Sequence, residues 1–453
     1  MYLSHHAPAG AIHGVRPYRS GRRTTSFKQT WGAIWVTTGL LLALALGPTW
    51  AAEPDSADLI SLRSAIAVAL ERSQALAVPA ANARAARELA VAAGQRPDPV
   101  LRLSLNNVPI NGTDRWSITN DFMTMQSVGI MQTLPSQAKR HARSQKFERE
   151  ADASLEQKQM LATEIQRETA VAWFELRAIE LKVGLLKVQI DEAGRQVMAT
   201  QTAFRSGRSS QTDWIAERDN LSRLEQALLQ MQADQASARS TLARWTGQAS
   251  GIALADALPI SSSSLDAQFF PTALDQHSAL RAMQSRIVAA RANAEVLRQE
   301  REPDWSVELT LSNRGPQYSD MMSVGLSVPL TWDRPLRQDR ELAASLAQVD
   351  ALEAEINEVR REQMLSIERQ QHNWRAALAQ LQLIDRDRLP LAQQRVEAAL
   401  AAYGSGTAPL TTVLEARQSA LMLAIERIDI ELQAARLWAA LEYLIPNSSP
   451  ARE

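Results

Sequence analysis

The feature that most constrains the fold of this chain is an internal duplication with a period of about 200 residues. Segment 127–130 returns as segment 323–326, and segment 203–207 returns as segment 402–406, in the same order. Two single residues keep the spacing of the second landmark: Thr212 recurs as Thr411, and Arg218 recurs as Arg417. The unit is far longer than the 20–50 residues of solenoids and propellers. The chain is therefore expected to have two equivalent halves, each presenting the same surfaces.

The duplication and the segments between its landmarks predict five regions. They are a signal peptide at 1–51, a first repeat at 52–246 with a strand pair within 100–134, a connector at 247–270, a second repeat at 271–445 with a strand pair within 305–330, and a C-terminal tail at 446–453. The connector is placed by the four consecutive serines at 261–264. Each repeat is predicted to contain an opening helix, a strand pair, a long helix and a returning helix. The opening helices are predicted at 62–93 and 272–299.

The first region has the composition of a secretory signal peptide. Five basic residues and no acidic residue precede an apolar run at 31–46, which is followed by small residues at 51–52. An uncleaved anchor helix is the alternative, but a membrane span needs roughly 20 apolar residues. Cleavage would remove five positive charges from a chain of net charge −1, leaving about −6. An acidic exported protein is a poor candidate for nucleic-acid binding.

The chain contains no cysteine. Disulfides and thiolate metal sites are therefore excluded. An exported protein without disulfides must be stabilised by packing within the chain or by assembly with other chains.

Both repeats predict helices far longer than those of a compact domain. Residues 136–206 contain no proline, and their second half carries apolar residues at the heptad spacing of coiled coils. About 70 residues of helix would extend roughly 105 Å. Gly207 is then predicted to form a turn into an antiparallel helix. The second repeat matches, with helix over 338–403, a turn at 404–406, and a kink at Pro390, which lacks an N–H donor.

Each half also contains two segments in which apolar and polar residues alternate. The segments are 101–106, 128–130, 305–312 and 324–328. Alternation of this kind predicts half-buried strands. A pair of soluble hairpins is one interpretation. A membrane barrel with a wet lumen is the other, since the chain is exported, the longer segments approach the 9–11 residues that cross a bilayer, and the polar faces carry Arg102 and Glu308.

Four strands are too few to close a membrane barrel, and lipid does not tolerate open sheet edges. If the strands cross a membrane, several chains must contribute to one barrel. The predicted fold class is mostly α with a membrane β-barrel, and the predicted assembly is a homo-oligomer.

On these residues the chain resembles the TolC family of Gram-negative outer-membrane efflux ducts. The local motifs are Phe204-x-x-Gly207 followed by Thr212-Asp213 in the first half, and Tyr403-x-x-Gly406 in the second. The resemblance implies a homotrimer in which four strands per chain form a twelve-stranded barrel in the outer membrane. It also implies a duplicated coiled-coil helical tunnel that extends into the periplasm. The implied partners are a periplasmic adaptor (membrane fusion) protein, an inner-membrane pump of the resistance-nodulation-division type, and outer-membrane lipid.

Segments 97–99, 107–109, 121–125 and 129–135 resemble the heavy-metal efflux branch of that family. The function this implies is the exit duct of a tripartite efflux system, which passively conducts heavy-metal cations from the pump and adaptor to the exterior. Drug efflux and protein secretion are the alternatives, because other branches of the family serve them.

The resemblance also implies roles for residues at the helical turns. Adaptor docking falls on Phe204, Gly207, Tyr403 and Gly406, and a pore gate falls on Glu415, Thr212 and Asp213. Two family positions differ here, since a second acidic ring falls on neutral Thr412 and a basic partner falls on Ala408. Without the resemblance, Glu415 would be interpreted as a solvated coiled-coil residue.

Nothing in the sequence predicts catalysis, a cofactor or a resident metal. Beyond the predicted signal peptide, His141, His277 and His372 are far apart and do not match metal-ligand spacing. No glycine-rich loop follows a strand to bind phosphate. Two non-enzymatic alternatives share the export and the long helices. A periplasmic coiled-coil adaptor would need a β-domain around its hairpin, and a scaffold would not account for the amphipathic strands.

Overall fold

The structure is a computed structural model that describes residues 59–247, 253–254, 260–262 and 274–446. The predicted signal peptide lies outside the described residues, as do most of the predicted connector and tail.

Each half of the described chain follows the same general order: a short strand, opening helix, hairpin, long helical segment and returning helix, although the opening segment of the first half and the long segment of the second half are each divided into two helices. The first half contains β1 (Leu59–Ile60), α1 (Leu62–Arg72), α2 (Ala77–Gly94), β2 (Val100–Asn106), β3 (Met125–Leu134), α3 (Gln137–Arg205) and α4 (Gln211–Thr246). The second half contains β4 (Ala253–Leu254), α5 (Ser278–Glu300), β5 (Trp305–Asn313), β6 (Met321–Ser327), α6 (Gln338–Leu383), α7 (Leu389–Gly404) and α8 (Leu410–Glu442). The long helix without proline is confirmed, because α3 has 69 residues.

Two predicted helices differ in detail from the structure. Segment 62–93 was expected to be one helix, but Ser73 has an extended backbone and a 3-10 turn at Gln74–Leu76 separates α1 from α2. At Pro390, the helix forms a π-helical turn at Ile384–Arg388 and then continues as α7. The N–H of Leu389 donates to the carbonyl of Ile384, five residues back. The wider turn accommodates the proline, which cannot donate to a carbonyl of the preceding turn.

Strands β2, β3, β5 and β6 form one antiparallel sheet in that order. Leu103 pairs with Val128, and Leu309 pairs with Val324, so the two hairpins place equivalent residues opposite each other. Strands β2 and β6 are the edges of the sheet in the described chain. The short strands β1 and β4 form a separate parallel pair.

Ion pairs show how the long helices are aligned. Glu175, Lys182 and Glu192 on α3 pair with Arg436, Asp429 and Arg417 on α8, respectively. Since the numbers rise along α3 as they fall along α8, the end of α3 lies beside the start of α8. The turns after α3 and α7 therefore lie at one end of the helices. The sheet lies at the other end, because β3 leads directly into α3.

The main buried core surrounds the middle of the long helices. Trp173, Phe174, Trp374 and Trp438 belong to it. The indole Nε1 of Trp173 donates to the carbonyl of Ile60 at 3.0 Å, and that of Trp374 donates to the carbonyl of Ile260 at 3.1 Å. These equivalent bonds attach the segments at Ile60 and Ile260, which lie outside the long helices, to the corresponding part of the core in each half.

Candidate functional site

One face of the sheet exposes an apolar surface. Its side chains are Leu101, Leu103, Leu105, Val128, Ile130, Val307, Leu309, Leu311, Met322, Val324 and Leu326, each exposed in the isolated chain. A contiguous apolar surface of this kind on a folded chain marks a contact with lipid or another protein. Pleating places these side chains together because alternate residues of a strand point to the same face.

The opposite face of the sheet is polar. Arg102 donates to both carboxylate oxygens of Glu308 at 3.1 Å, across the strand between them. Gly129, on that intervening strand, is directly opposite Arg102. A Cβ on Gly129 would lie 2.7 Å from the hydroxyl of Thr310 and 3.4 Å from a carboxylate oxygen of Glu308. The glycine of the repeated landmark therefore leaves room for the ion pair.

The two glycine turns have the same backbone geometry. Gly207 has φ +72° and Gly406 has φ +76°. The N–H of each glycine donates to a carbonyl three residues back, Phe204 or Tyr403, at 2.9 and 3.0 Å. The next N–H donates to a carbonyl five residues back, at 2.8 Å in the first turn and 2.9 Å in the second. This is the Schellman pattern, which requires a left-handed residue and so favours glycine.

In the first turn, Phe204 stacks against Trp214, with ring centroids 6.5 Å apart, and Arg218 lies 5.1 Å from the Trp214 ring centroid. Asp213 accepts hydrogen bonds from the Ser210 N–H and the Ser209 hydroxyl, both at 3.1 Å. Burial would raise the pKa of the Asp213 carboxyl, but these hydrogen bonds outweigh it and lower the pKa. Asp213 therefore caps its own helix as a carboxylate.

Near the first turn, Thr212 is exposed. The second turn is packed by a small apolar cluster of Ala399, Leu410, Val413 and Ala416, against which Tyr403 lies half-buried. Glu415 is exposed on α8. Within the described part of one chain, no hydrogen bond joins Asp213 to Tyr403.

Sequence reasoning missed a cluster of charged residues near the turns, in which Glu217 is buried while Arg417 and Glu192 are partly exposed. Arg417 donates to Glu192 at 3.1 Å, and Glu217 is only 1% exposed. Burial raises the pKa of Glu217, while the nearby charge of Arg417 lowers it in part. Glu217 lies between Trp214 and Leu221 on the apolar stripe of its helix, and a charged residue at such an interior heptad position is the signal that could have identified it.

Among the described residues, no helix is both long enough and apolar enough to cross a bilayer. In the same part of the chain, no group of three or more histidine, aspartate or glutamate residues could hold a metal ion.

The sheet with its exposed apolar face, followed by paired helices of tens of residues in each half, defines the architecture of an outer-membrane channel with a helical tunnel. The family model of the outer membrane efflux proteins matches residues 65–248 and 270–445. The chain belongs to this family. Its members are channels and not enzymes.

Solved structures show the same fold. The outer-membrane channel OprN matches with a TM-score of 0.69 at 18% identity, covering 86% of this chain and 91% of OprN. VceC from Vibrio cholerae matches with a TM-score of 0.68 at 17% identity, covering 84% of this chain and 95% of VceC. CusC matches with a TM-score of 0.68 at 14% identity, covering 84% of this chain and 91% of CusC. No curated protein sequence matches the chain.

Proposed function

We propose that three copies of this chain form the outer-membrane exit duct of a tripartite efflux system in a Gram-negative cell. The observation that carries this proposal is the sheet, whose apolar face is exposed while its opposite face is polar and ion-paired. That distribution fits a strand wall between lipid and a water-filled lumen.

The free edges of the sheet support assembly from several copies. Because the four strands alternate in direction, β6 of one copy can pair antiparallel with β2 of the next. Such pairing would satisfy the edge N–H and C=O groups, which lipid cannot do. Two copies would supply eight strands, and barrels of that size are filled by their own side chains. Three copies would supply twelve strands and leave space for a conducting lumen.

The helical turns are the proposed contact with the rest of the system. Phe204, Gly207, Tyr403 and Gly406 lie at the end of the helices away from the sheet, which would be the periplasmic end. A periplasmic adaptor is proposed to dock there and to connect the duct to an inner-membrane pump of the resistance-nodulation-division type. Glu415, Thr212 and Asp213 are the proposed gate. Exposure of Glu415 in one chain agrees with a position facing a shared pore.

Heavy-metal cations are the proposed cargo. Support comes from the resemblance of the segments between residues 97 and 135 to the heavy-metal branch. To test this cargo, the gene is deleted and the cells are exposed to Cu(I), Zn(II), Cd(II), Co(II) and organic drugs. Greater sensitivity to the metals alone is expected, and sensitivity to the drugs alone would contradict the cargo but not the duct.

The barrel itself can be tested with neighbouring substitutions on β2. Leu103 is on the exposed apolar face, and Ser104 is on the polar face. Leu103→Arg should prevent accumulation in the outer membrane, since a basic residue facing lipid costs about 2–4 kcal/mol at the midplane. Ser104→Arg is the matched control and should accumulate normally. Equal accumulation of both variants, or a folded monomer by mass measurement in detergent, would contradict a lipid-facing shared barrel.

A further inference from the structure

A buried lysine joins the sheet end of the first half to that of the second. Lys139, the third residue of α3, is 4% exposed. Its ammonium donates to Oδ1 of Asp304 at 2.6 Å and to the carbonyl of Glu302 at 2.7 Å. Asp304 immediately precedes β5. The contact therefore ties the junction of β3 and α3 to the junction of α5 and β5, where the sheet meets the helices.

The duplication defines an equivalent of each partner. Asp304 corresponds to Asp98, because each follows a proline just before the first strand of a hairpin, and this alignment places Leu309 on Leu103. The same two leucines pair with equivalent valines in the sheet.

Lys139 corresponds to Arg340, since each is the third residue of its long helix. The same spacing relates Trp173 to Trp374, which make equivalent indole-to-carbonyl bonds further along those helices. The two long helices therefore align without an insertion or deletion between their starts and these tryptophans. In the chain that the structure describes, the side chains of Asp98 and Arg340 are both exposed, and no hydrogen bond or ion pair joins them.

We propose that Arg340 of one copy binds Asp98 of the next, as the intermolecular counterpart of the bond between Lys139 and Asp304. Within one chain, β5 of the second half lies beside β3 of the first half, and the bond from Lys139 to Asp304 joins the two halves at that boundary. In a closed ring, the first half of the next copy follows the second half of this one. The guanidinium of Arg340 then meets the carboxylate of Asp98 and the carbonyl of Arg96, which corresponds to Glu302. This inference rests on the proposed assembly of copies into one barrel.

The absence of cysteine makes a direct test available. The double variant Asp98→Cys/Arg340→Cys is treated in outer membranes with a short bismaleimide, because an ion pair of long side chains need not have the geometry of a disulfide. Most of the protein should then migrate as covalent dimers and trimers under denaturing conditions. The matched control is Lys139→Cys/Asp304→Cys, which has the equivalent contact inside one chain and should remain a monomer. Each single-cysteine variant should also remain a monomer.

A mass measurement separates the two proposals. If the detergent-solubilised double variant contains three copies but gives only monomers after cross-linking, the contact between Arg340 and Asp98 is wrong and the assembly stands. If the unmodified protein is a folded monomer, the proposed assembly is wrong, and the contact between copies is wrong with it.

A charge exchange provides a second measurement. Asp98→Arg and Arg340→Asp should each reduce the amount of assembled protein several-fold, and the combined variant should restore it. A combined variant no better than either single variant would overturn the pairing.

Discussion

The buried carboxyl of Glu217 is predicted to destabilise the helices near the turns at neutral and alkaline pH. Its side chain is 1% exposed, and Oε2 has no hydrogen-bond partner among the described residues. Arg417, the nearby cation, already binds Glu192. Because Glu217 is buried within a single chain, assembly with other copies does not expose it. Replacing it with glutamine removes the ionisable group and keeps the size of the side chain.

The sign of the pH dependence follows from the direction of the pKa shift. Burial raises the pKa of Glu217 above its usual value of 4.5. The folded chain therefore holds this proton more tightly than the unfolded chain, and stability is lost as the pH rises from about 4.5 towards the folded-state pKa. Each tenfold difference in acid dissociation between the two states costs about 1.4 kcal/mol. Leaving a buried polar group unsatisfied costs about 1–3 kcal/mol, and more when the group is charged. Replacing the carboxylate with a neutral amide therefore removes only the additional cost of the charge.

We therefore expect Glu217→Gln to stabilise this region by about 1–2 kcal/mol at pH 8 and by much less at pH 4. Amide hydrogen exchange reports local opening, so the amides around Glu217 on α4 should exchange about tenfold more slowly in the variant at pH 8. Wild type and variant are compared at the same pH, which removes the intrinsic pH dependence of exchange.

Glu225→Gln is the matched control, because Glu225 is an exposed residue two turns further along the same helix. It should leave exchange unchanged at both pH values. Faster exchange in Glu217→Gln at pH 8, or an equal gain at pH 4 and pH 8, would refute the assignment of a destabilising buried carboxyl.

Three further predictions concern the core and the turns. Trp173→Phe should lower stability by about 1–3 kcal/mol, because the carbonyl of Ile60 loses its buried donor; an unchanged unfolding temperature would contradict this. Gly406→Trp should abolish resistance without changing the amount of protein in the outer membrane, since a bulky residue at φ +76° distorts the proposed docking turn; full resistance would argue against docking there. Glu415→Ala should weaken the cation preference of conductance in planar bilayers. An unchanged preference would indicate that Glu415 is a solvated coiled-coil residue that does not face the pore.

Much of the local structure could be predicted from the sequence because it is periodic. Alternation around Arg102 predicted which strand residues share a face, and the heptads before Gly207 predicted a helix that the structure extends over 69 residues. The glycines at 207 and 406 predicted the two turns, where the structure has the left-handed conformation that favours glycine. These features depend on neighbours along the chain, whose geometry is repeated at each turn or pleat. The roles of the turn residues in docking and gating stay predictions.

The sequence by itself determined the duplication, the two faces of the strands and the helices that join them to the turns. Only the tertiary structure decided which distant residues meet: Lys139 with Asp304, Trp173 with Ile60, and Arg417 with Glu192. It also decided that Glu217 is buried and that a π-helical turn precedes Pro390. The physical reason is that periodicity shows which face of an element is covered, but not which residue of another element covers it. That pairing depends on the alignment of whole helices, which is set by side-chain packing along their full length.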